Sequence, residues 1–185
     1  MTQRAITDPK LREFVTLFEK WNNSINLSAA KSRAEIENHV LDCLHVIPHL
    51  APAKTVLDVG AGGGLPVVIA AISLPDTQFT ALEPVHKKHA FLRTAARQLE
   101  LPNLESYAKR SDDYPATHYF DAACSRATFD LREWLELGLT YVDRAHGFVV
   151  GFEALERGDL PQPFERHSYT FGDKTRAIVV ARHPS

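Results

Sequence analysis

The sequence predicts an α/β protein with a mostly parallel sheet and helices on both faces, and three observations carry that prediction. From Lys54 onward, short apolar runs of strand type alternate with helical patterns. Residues 55–69, TVLDVGAGGGLPVVI, read as strand, tight glycine turn and helix in direct succession. Near the end, residues 167–171 and 177–182 flank Gly172-Asp173-Lys174 as an antiparallel hairpin. With 185 residues, 44% of them hydrophobic, the chain is long enough to bury one core. A single domain is expected, with residues 1–53 as a helical segment ahead of a core at 54–185.

Ahead of the sheet, residues 8–20 form an amphipathic helix, with Asp8 as N-cap, Pro9 in the first turn and Leu11, Phe14, Val15 and Phe18 on one stripe. Residues 21–29, rich in Asn and Ser, read as a connection. Residues 36–50 read as a second helix with Val40, Leu41, Leu44 and Ile47 inward, closed by Pro48 and Pro52. His39, Asp42 and Cys43 lie on it, and an isolated His and Asp there are expected at the surface or as caps, with too few partners for a metal site. Strands follow at 55–59, 78–82, 104–107, 119–125 and 147–152, with helices at 66–73, 86–99 and 131–141 between them.

Composition narrows the classes of function. No apolar run is long enough for a signal peptide or a membrane span, so a cytoplasmic protein with no membrane partner is expected. Cys43 and Cys124 stand in apolar surroundings without a C-x-x-C pattern, which suits core residues in a reducing compartment. A net charge of −2 argues against holding naked nucleic acid by bulk charge. Between His86 and Arg110, however, six Lys and Arg stand against two Glu. This is either a local phosphate-binding face or a solvated helix surface.

The glycine turn carries the chemistry. Glycines at 60, 62, 63 and 64 let the backbone take positive φ and let a ligand approach the main chain, while the next helix offers unpaired amides. A dinucleotide fingerprint would need glycine at 65, where Leu65 stands, so NAD is disfavoured. The remaining pattern, Asp58 inside the strand followed by Gly60, Gly62 and Gly64, resembles the S-adenosylmethionine site of class I methyltransferases. Glu83 then ends the second strand about twenty residues on, placed either to accept hydrogen bonds from ribose hydroxyls or to cap the next helix. In that class the loop after the third strand covers the adenine, so the resemblance implies that Ser111 and Asp112, with backbone amides, read its edge. Arg126, after the fourth strand, is placed to hold a phosphate or guanine edge, or to form an ion pair at the sheet edge. Phe129 either stacks on a base or is buried.

Several blocks together resemble one family. WNNSINLS is similar to W-N-x-x-x-N-L-T, HVLDCL to H-x-L-D-S-L, DVGAGGGLPVVIA to D-V-G-x-G-x-G-L-P-G-x-x-L-A, KKHAFLR to K-R-x-x-F-L-R, and CSRA to S-R-A. These are motifs of the bacterial small-subunit ribosomal RNA guanine-N7 methyltransferases, also called glucose-inhibited division protein B. The resemblance implies S-adenosyl-L-methionine as cofactor, with contacts at Gly60, Leu65, Ser111, Asp112 and Arg126. It implies methyl transfer to N7 of a guanine in 16S ribosomal RNA, free or in a ribosomal particle, by a monomer without DNA as a partner. N7 carries a free lone pair and needs no general base, which suits a sequence with neither an N-P-P-Y motif nor a Pro-Cys pair. Two departures stand out: Val67 where the family has glycine, and Glu153 where it has a lysine. An acid at 153 is expected to weaken RNA binding. A class I methyltransferase acting on a small molecule, or a non-catalytic cofactor- or RNA-binding module, are the rival readings.

Overall fold

The computed structural model describes residues 6–114 and 119–184. Seven strands form one sheet in the order β3-β2-β1-β4-β5-β7-β6. The strands are β1 (Thr55–Val59), β2 (Gln78–Leu82), β3 (Leu104–Tyr107), β4 (Ala122–Ser125), β5 (Phe148–Glu153), β6 (Phe164–Phe171) and β7 (Lys174–Arg182). The first five are parallel, and β7 runs antiparallel to both β5 and β6. The central strands β1, β4 and β5 are short and mostly apolar, as strands covered on both faces must be, while β3 at the edge is half exposed.

Two amino-terminal helices, α1 (Pro9–Ile25) and α2 (Arg33–Cys43), share one face of the sheet with α4 (Val67–Ser73) and α5 (His86–Gln98). The opposite face carries α6 (Leu131–Gly138), whose Trp134 and Leu135 pack with Leu57, Val59 and Val149. Between α2 and β1 the chain makes a 3-10 turn, Leu44–Val46, and a four-residue helix α3, Ile47–Leu50. Asp8 does cap α1, accepting from the Leu11 amide at 3.1 Å.

Boundaries differ from the sequence reading where side chains act over a distance. Helix α1 runs on through Trp21 to Ile25, because Trp21 packs edge-on against Phe91 and Asn22 is buried. The Asn22 amide then shapes the following loop: Nδ2 donates to Ala30 O and Oδ1 accepts from the Ser28 amide, each at 2.8 Å. Helix α2 begins three residues earlier than expected, at the Ser32 cap. Pro48 does not close the helix but occupies the first turn of α3, where its missing N–H has no cost. The inward stripe is Ile36, Val40, Cys43, Val46 and Leu50, whereas Leu41, Leu44 and Ile47 are only half-buried. Strand β4 is shorter than 119–125, since Phe120 meets Val142 in a single bridge before the ladder starts. Helix α6 ends three residues early at Gly138, and β6 starts three residues early at Phe164.

Phe91 on α5 joins the amino-terminal helix to the core, with the rings of Phe14, Phe18 and Trp21 centred 6.2, 5.8 and 5.6 Å away. Phe91→Ala is expected to lower unfolding free energy by about 3–5 kcal/mol through lost burial and a residual cavity. Urea unfolding followed by tryptophan fluorescence measures it, and a loss below about 1 kcal/mol would show that α1 is not coupled to the core through this ring.

Candidate active site

Because β1 to β4 are parallel and in register, their carboxyl ends open onto one edge of the sheet. The turn after β1, Glu83 after β2, the Ser111–Asp113 turn after β3 and residues 126–128 after β4 all lie along it. The sequence-predicted residues therefore converge on one edge.

The glycine turn is built by β2. The Gly60 and Ala61 amides both donate to Leu82 O, at 2.9 and 3.0 Å, and Glu83 Oε2 accepts from the Gly62 amide at 2.7 Å. Gly60, Gly62 and Gly64 have φ of +72°, +55° and +79°, a region side chains rarely adopt. Their surroundings differ. A Cβ at Gly60 would strike Thr128, and one at Gly64 would strike Val68, so these two glycines permit close packing. Among the described residues, a Cβ at Gly62 would meet nothing nearer than Gly60 O at 3.9 Å, which leaves the main chain open to an approaching ligand. Leu65 is half-buried beside it, and Val67, the first residue of α4, is fully buried packing.

Glu83 is 4% exposed and already engaged twice, its Oε1 accepting from the Val85 amide at 2.8 Å. It thus braces the turn and the approach to α5 at once. Each carboxylate oxygen keeps a second lone pair for a ligand hydroxyl. Ser111 and Asp112 stand in an exposed 3-10 turn, with Ser111 Oγ 3.4 Å from Asp112 Oδ1. On the other side, Thr128 Oγ1 donates to Gly60 O at 3.0 Å, and Ser125 Oγ donates to Val59 O at 2.8 Å. These two bonds tie the segment after β4 to β1 and its turn, and neither hydroxyl was singled out by the sequence reading.

Asp58 is wholly buried beneath the turn, and neither carboxyl oxygen has a hydrogen-bond partner among the described residues. Burial pushes its pKa up to about 7, with the nearby Cys124 thiol and Val67 amide tempering the rise and Glu83 adding to it. Burial likewise raises Cys43 to about 12 and Cys124 well above the ordinary thiol range, so both are inert core thiols at neutral pH.

Arg126 reaches away from the glycine turn toward α2. Its Nη2 donates to Asp42 Oδ2 at 3.0 Å, and its guanidinium lies 5.7 Å from the Phe152 ring centre. Asp42 is not a surface or capping residue: it is 2% exposed and also accepts from Arg176 Nη1 and the Tyr169 hydroxyl. One signal was available in the sequence, since Asp42 precedes Val46 by four and so shares its inward phase. The pairing with Arg176, 134 residues away, had none. Phe129 stacks on Trp134, with rings 5.7 Å apart, and is half-buried.

The acid at 153 does not face a ligand. Glu153 is 4% exposed and grips Arg166 through Nε at 2.6 Å and Nη2 at 3.0 Å, while also accepting from the Arg157 amide. Its charge is neutralised within the chain, which removes the electrostatic objection to an anionic substrate. Arg93 and Arg97 from the basic stretch are exposed, beside an open groove of about 840 Å³ between α5 and β3 that also holds Glu100 and Glu105. That groove is separate from the glycine turn.

The strand order, the antiparallel β7 and the glycine turn after β1 define a class I methyltransferase fold. The chain superposes on an O-methyltransferase of tomaymycin synthesis from Streptomyces achromogenes, solved with S-adenosylmethionine, with a TM-score of 0.64 at 16% identity over 97% of this chain and 92% of the other. A sequence profile of the GidB family, described as rRNA small subunit methyltransferase G, matches residues 7–151. The chain belongs to this family. It is 38% identical over 136 residues to the ribosomal RNA small subunit methyltransferase G of Chromobacterium violaceum, covering 71% of this chain and 65% of that one. It is 37% identical over 129 residues to the protein of that name from Methylobacillus flagellatus, covering 69% and 62%. The match thus spans slightly less than two thirds of either relative.

The raised Asp58 gives a pH test. The folded protein keeps this carboxyl protonated up to about pH 7, whereas the unfolded chain releases the proton near 3.8. Stability therefore falls as pH rises between these values, by at most about 1.4 kcal/mol per unit from this group, and the loss levels off above pH 7. Asp58→Asn is expected to gain on the parent over that window in urea unfolding at pH 5, 6, 7 and 8. Parallel curves for the two proteins would mean that Asp58 ionises normally.

Proposed function

We propose that this chain is an S-adenosylmethionine-dependent methyltransferase acting on N7 of a guanine in small-subunit ribosomal RNA. The observation that carries the reading is the main chain at Gly62, open among the described residues, flanked by Glu83 and underlain by the buried Asp58, in a member of this family. These residues fit the cofactor. Gly62 and Leu65 would line its approach on a turn that Gly60 and Gly64 let pack closely, a free lone pair on Glu83 would accept from ribose, and Ser111 and Asp112 would border the adenine. Asp58, once ionised, places negative charge under a cationic ligand. The bound cofactor supplies a methyl group on a sulfonium, electrophilic without further activation.

What the chain adds is orientation. Guanine N7 has a lone pair in its neutral form, so no side chain need take a proton, and holding the reacting atoms in line supplies the rate. Arg126, charged at any working pH, holds the acceptor side through the guanidinium N–H groups that Asp42 leaves free. In folded RNA this base edge is reachable where a helix is opened or unpaired, so the substrate is a loop or an assembled particle. The segment 1–53 and the core 54–185 are read as one folding unit, supported by the packing of Phe14 and Phe18 on Phe91.

The test is methyl transfer from labelled cofactor to small ribosomal subunits from cells lacking the modification. The intact chain is expected to label one guanine at N7, and Arg126→Ala to lose at least about tenfold in rate while remaining folded. Cofactor binding with no label entering any RNA would overturn the assignment of substrate.

A further inference from the structure

We propose that Asp42 is a positioning residue whose single carboxylate presents Arg126 and Arg176 together, as a two-arginine fork, to a phosphate of the RNA strand that carries the acceptor base. The inference rests on the proposed function and names residues for the acceptor side of that same site.

The geometry is specific. Asp42 Oδ2 accepts from Arg126 Nη2 at 3.0 Å and from Arg176 Nη1 at 2.6 Å, while Oδ1 accepts from the Tyr169 hydroxyl at 3.0 Å. One carboxylate on α2 thus joins three segments: the loop after β4, β7, and β6. Arg176 lies one residue before Ala177, which pairs with Glu153 at the carboxyl end of β5. It therefore stands at the same sheet edge as Arg126, on the side away from β2 and β3. This is the half of the edge left for an acceptor when the cofactor occupies the half near Glu83 and Ser111.

The charge is unbalanced. Two guanidiniums share one carboxylate, and Tyr169 stays neutral because burial and Asp42 both push its phenol up. His39 adds no further negative partner: its Nδ1 lies 3.5 Å from Arg126 Nη2, and burial together with Arg126 lowers its pKa, so a neutral ring accepts there. Asp42, Arg126, Arg176 and Tyr169 together carry one net positive charge, with the arginine side chains 17% and 28% exposed. A cluster built for stability alone would balance its charges or replace them with apolar packing. Among the described residues, each arginine side chain bonds through one terminal nitrogen, leaving its other N–H groups for phosphate oxygens. Packing restrains both: Arg126 lies over Phe152 and Arg176 over Phe171, 5.7 and 5.5 Å from the ring centres. His45 stacks on Tyr169 at 4.0 Å, holding the phenol that holds Asp42.

Three variants test the fork, each assayed for cofactor affinity, methyl transfer to undermodified small subunits, and salt-dependent binding of a small-subunit RNA transcript. Asp42→Asn keeps both arginine charges but loses the shared ionic anchor. Its kcat is expected to fall at least about tenfold, with RNA affinity unchanged or tighter and cofactor affinity within about twofold. Arg176→Gln is expected to raise the KM for RNA about five- to tenfold and to reduce the slope of log affinity against log salt by about 0.7–0.9. Arg176→Lys is expected to restore the slope but not the rate, because a lysine cannot reproduce the fork. The proposal is overturned if Arg176→Gln matches the parent in KM and salt slope, or if Asp42→Asn lowers only the melting temperature. Should Asp42→Asn fail to fold, the two Arg176 variants decide. Absence of methyl transfer by the parent would strike the proposed function alone, since the salt slope is read on binding.

Discussion

The hydrogen bonds by which the end of β2 holds the turn after β1 are the constraint on which the rest of the site depends. Leu82 O binds two consecutive amides of the turn and Glu83 binds a third, so the backbone around Gly62 is fixed by the neighbouring strand. A loop carrying three positive φ values is costly to order on its own. Here the cost falls on a segment clamped from β2 on one side and from Thr128 on the other. The open face of the turn is what remains after every other face has been taken by packing. Preorganisation of this kind lets a ligand bind without first ordering the loop.

The two halves of the sheet edge differ in how their polar groups are satisfied. Near β1 and β2, main-chain amides meet one buried acid, and the carboxyl beneath them has only the Cys124 thiol and the Val67 amide nearby to temper its burial. Near β4 and β7, long cationic side chains meet a single acid carried by a helix from outside the parallel core. The first arrangement is rigid and local; the second spans the chain. Helix α2 therefore has a part in the edge chemistry as well as in covering the sheet.

Much of this was legible in sequence, and the limits follow from range. Strands β1 and β2 are legible to the residue because a buried parallel strand is a short apolar run ended by turn residues, whereas β3, an edge strand with half of its residues exposed, is legible from its place between a helix and a polar turn. Glu83 was legible as an acid at a strand's end, though not as a brace for Gly62, since an amide at a turn leaves no trace in residue type. Asp42 was misread because its partners are 84 and 134 residues away and only the folded sheet brings them together. Glu153 was misread for a related reason. Its identity announces a negative charge, while the Arg166 that cancels it lies on another strand, within the three residues of β6 that the sequence reading left out.

The pairing of Glu153 with Arg166 bears on how such a chain can change by single steps. A lysine at 153 would set a cation against Arg166 in a nearly closed space and leave the Arg157 amide without its acceptor. Replacing Arg166 first would strand a buried carboxylate instead. Either order passes through a penalised intermediate, so the two positions are coupled in energy, and the acid at 153 answers to the arginine on the neighbouring hairpin.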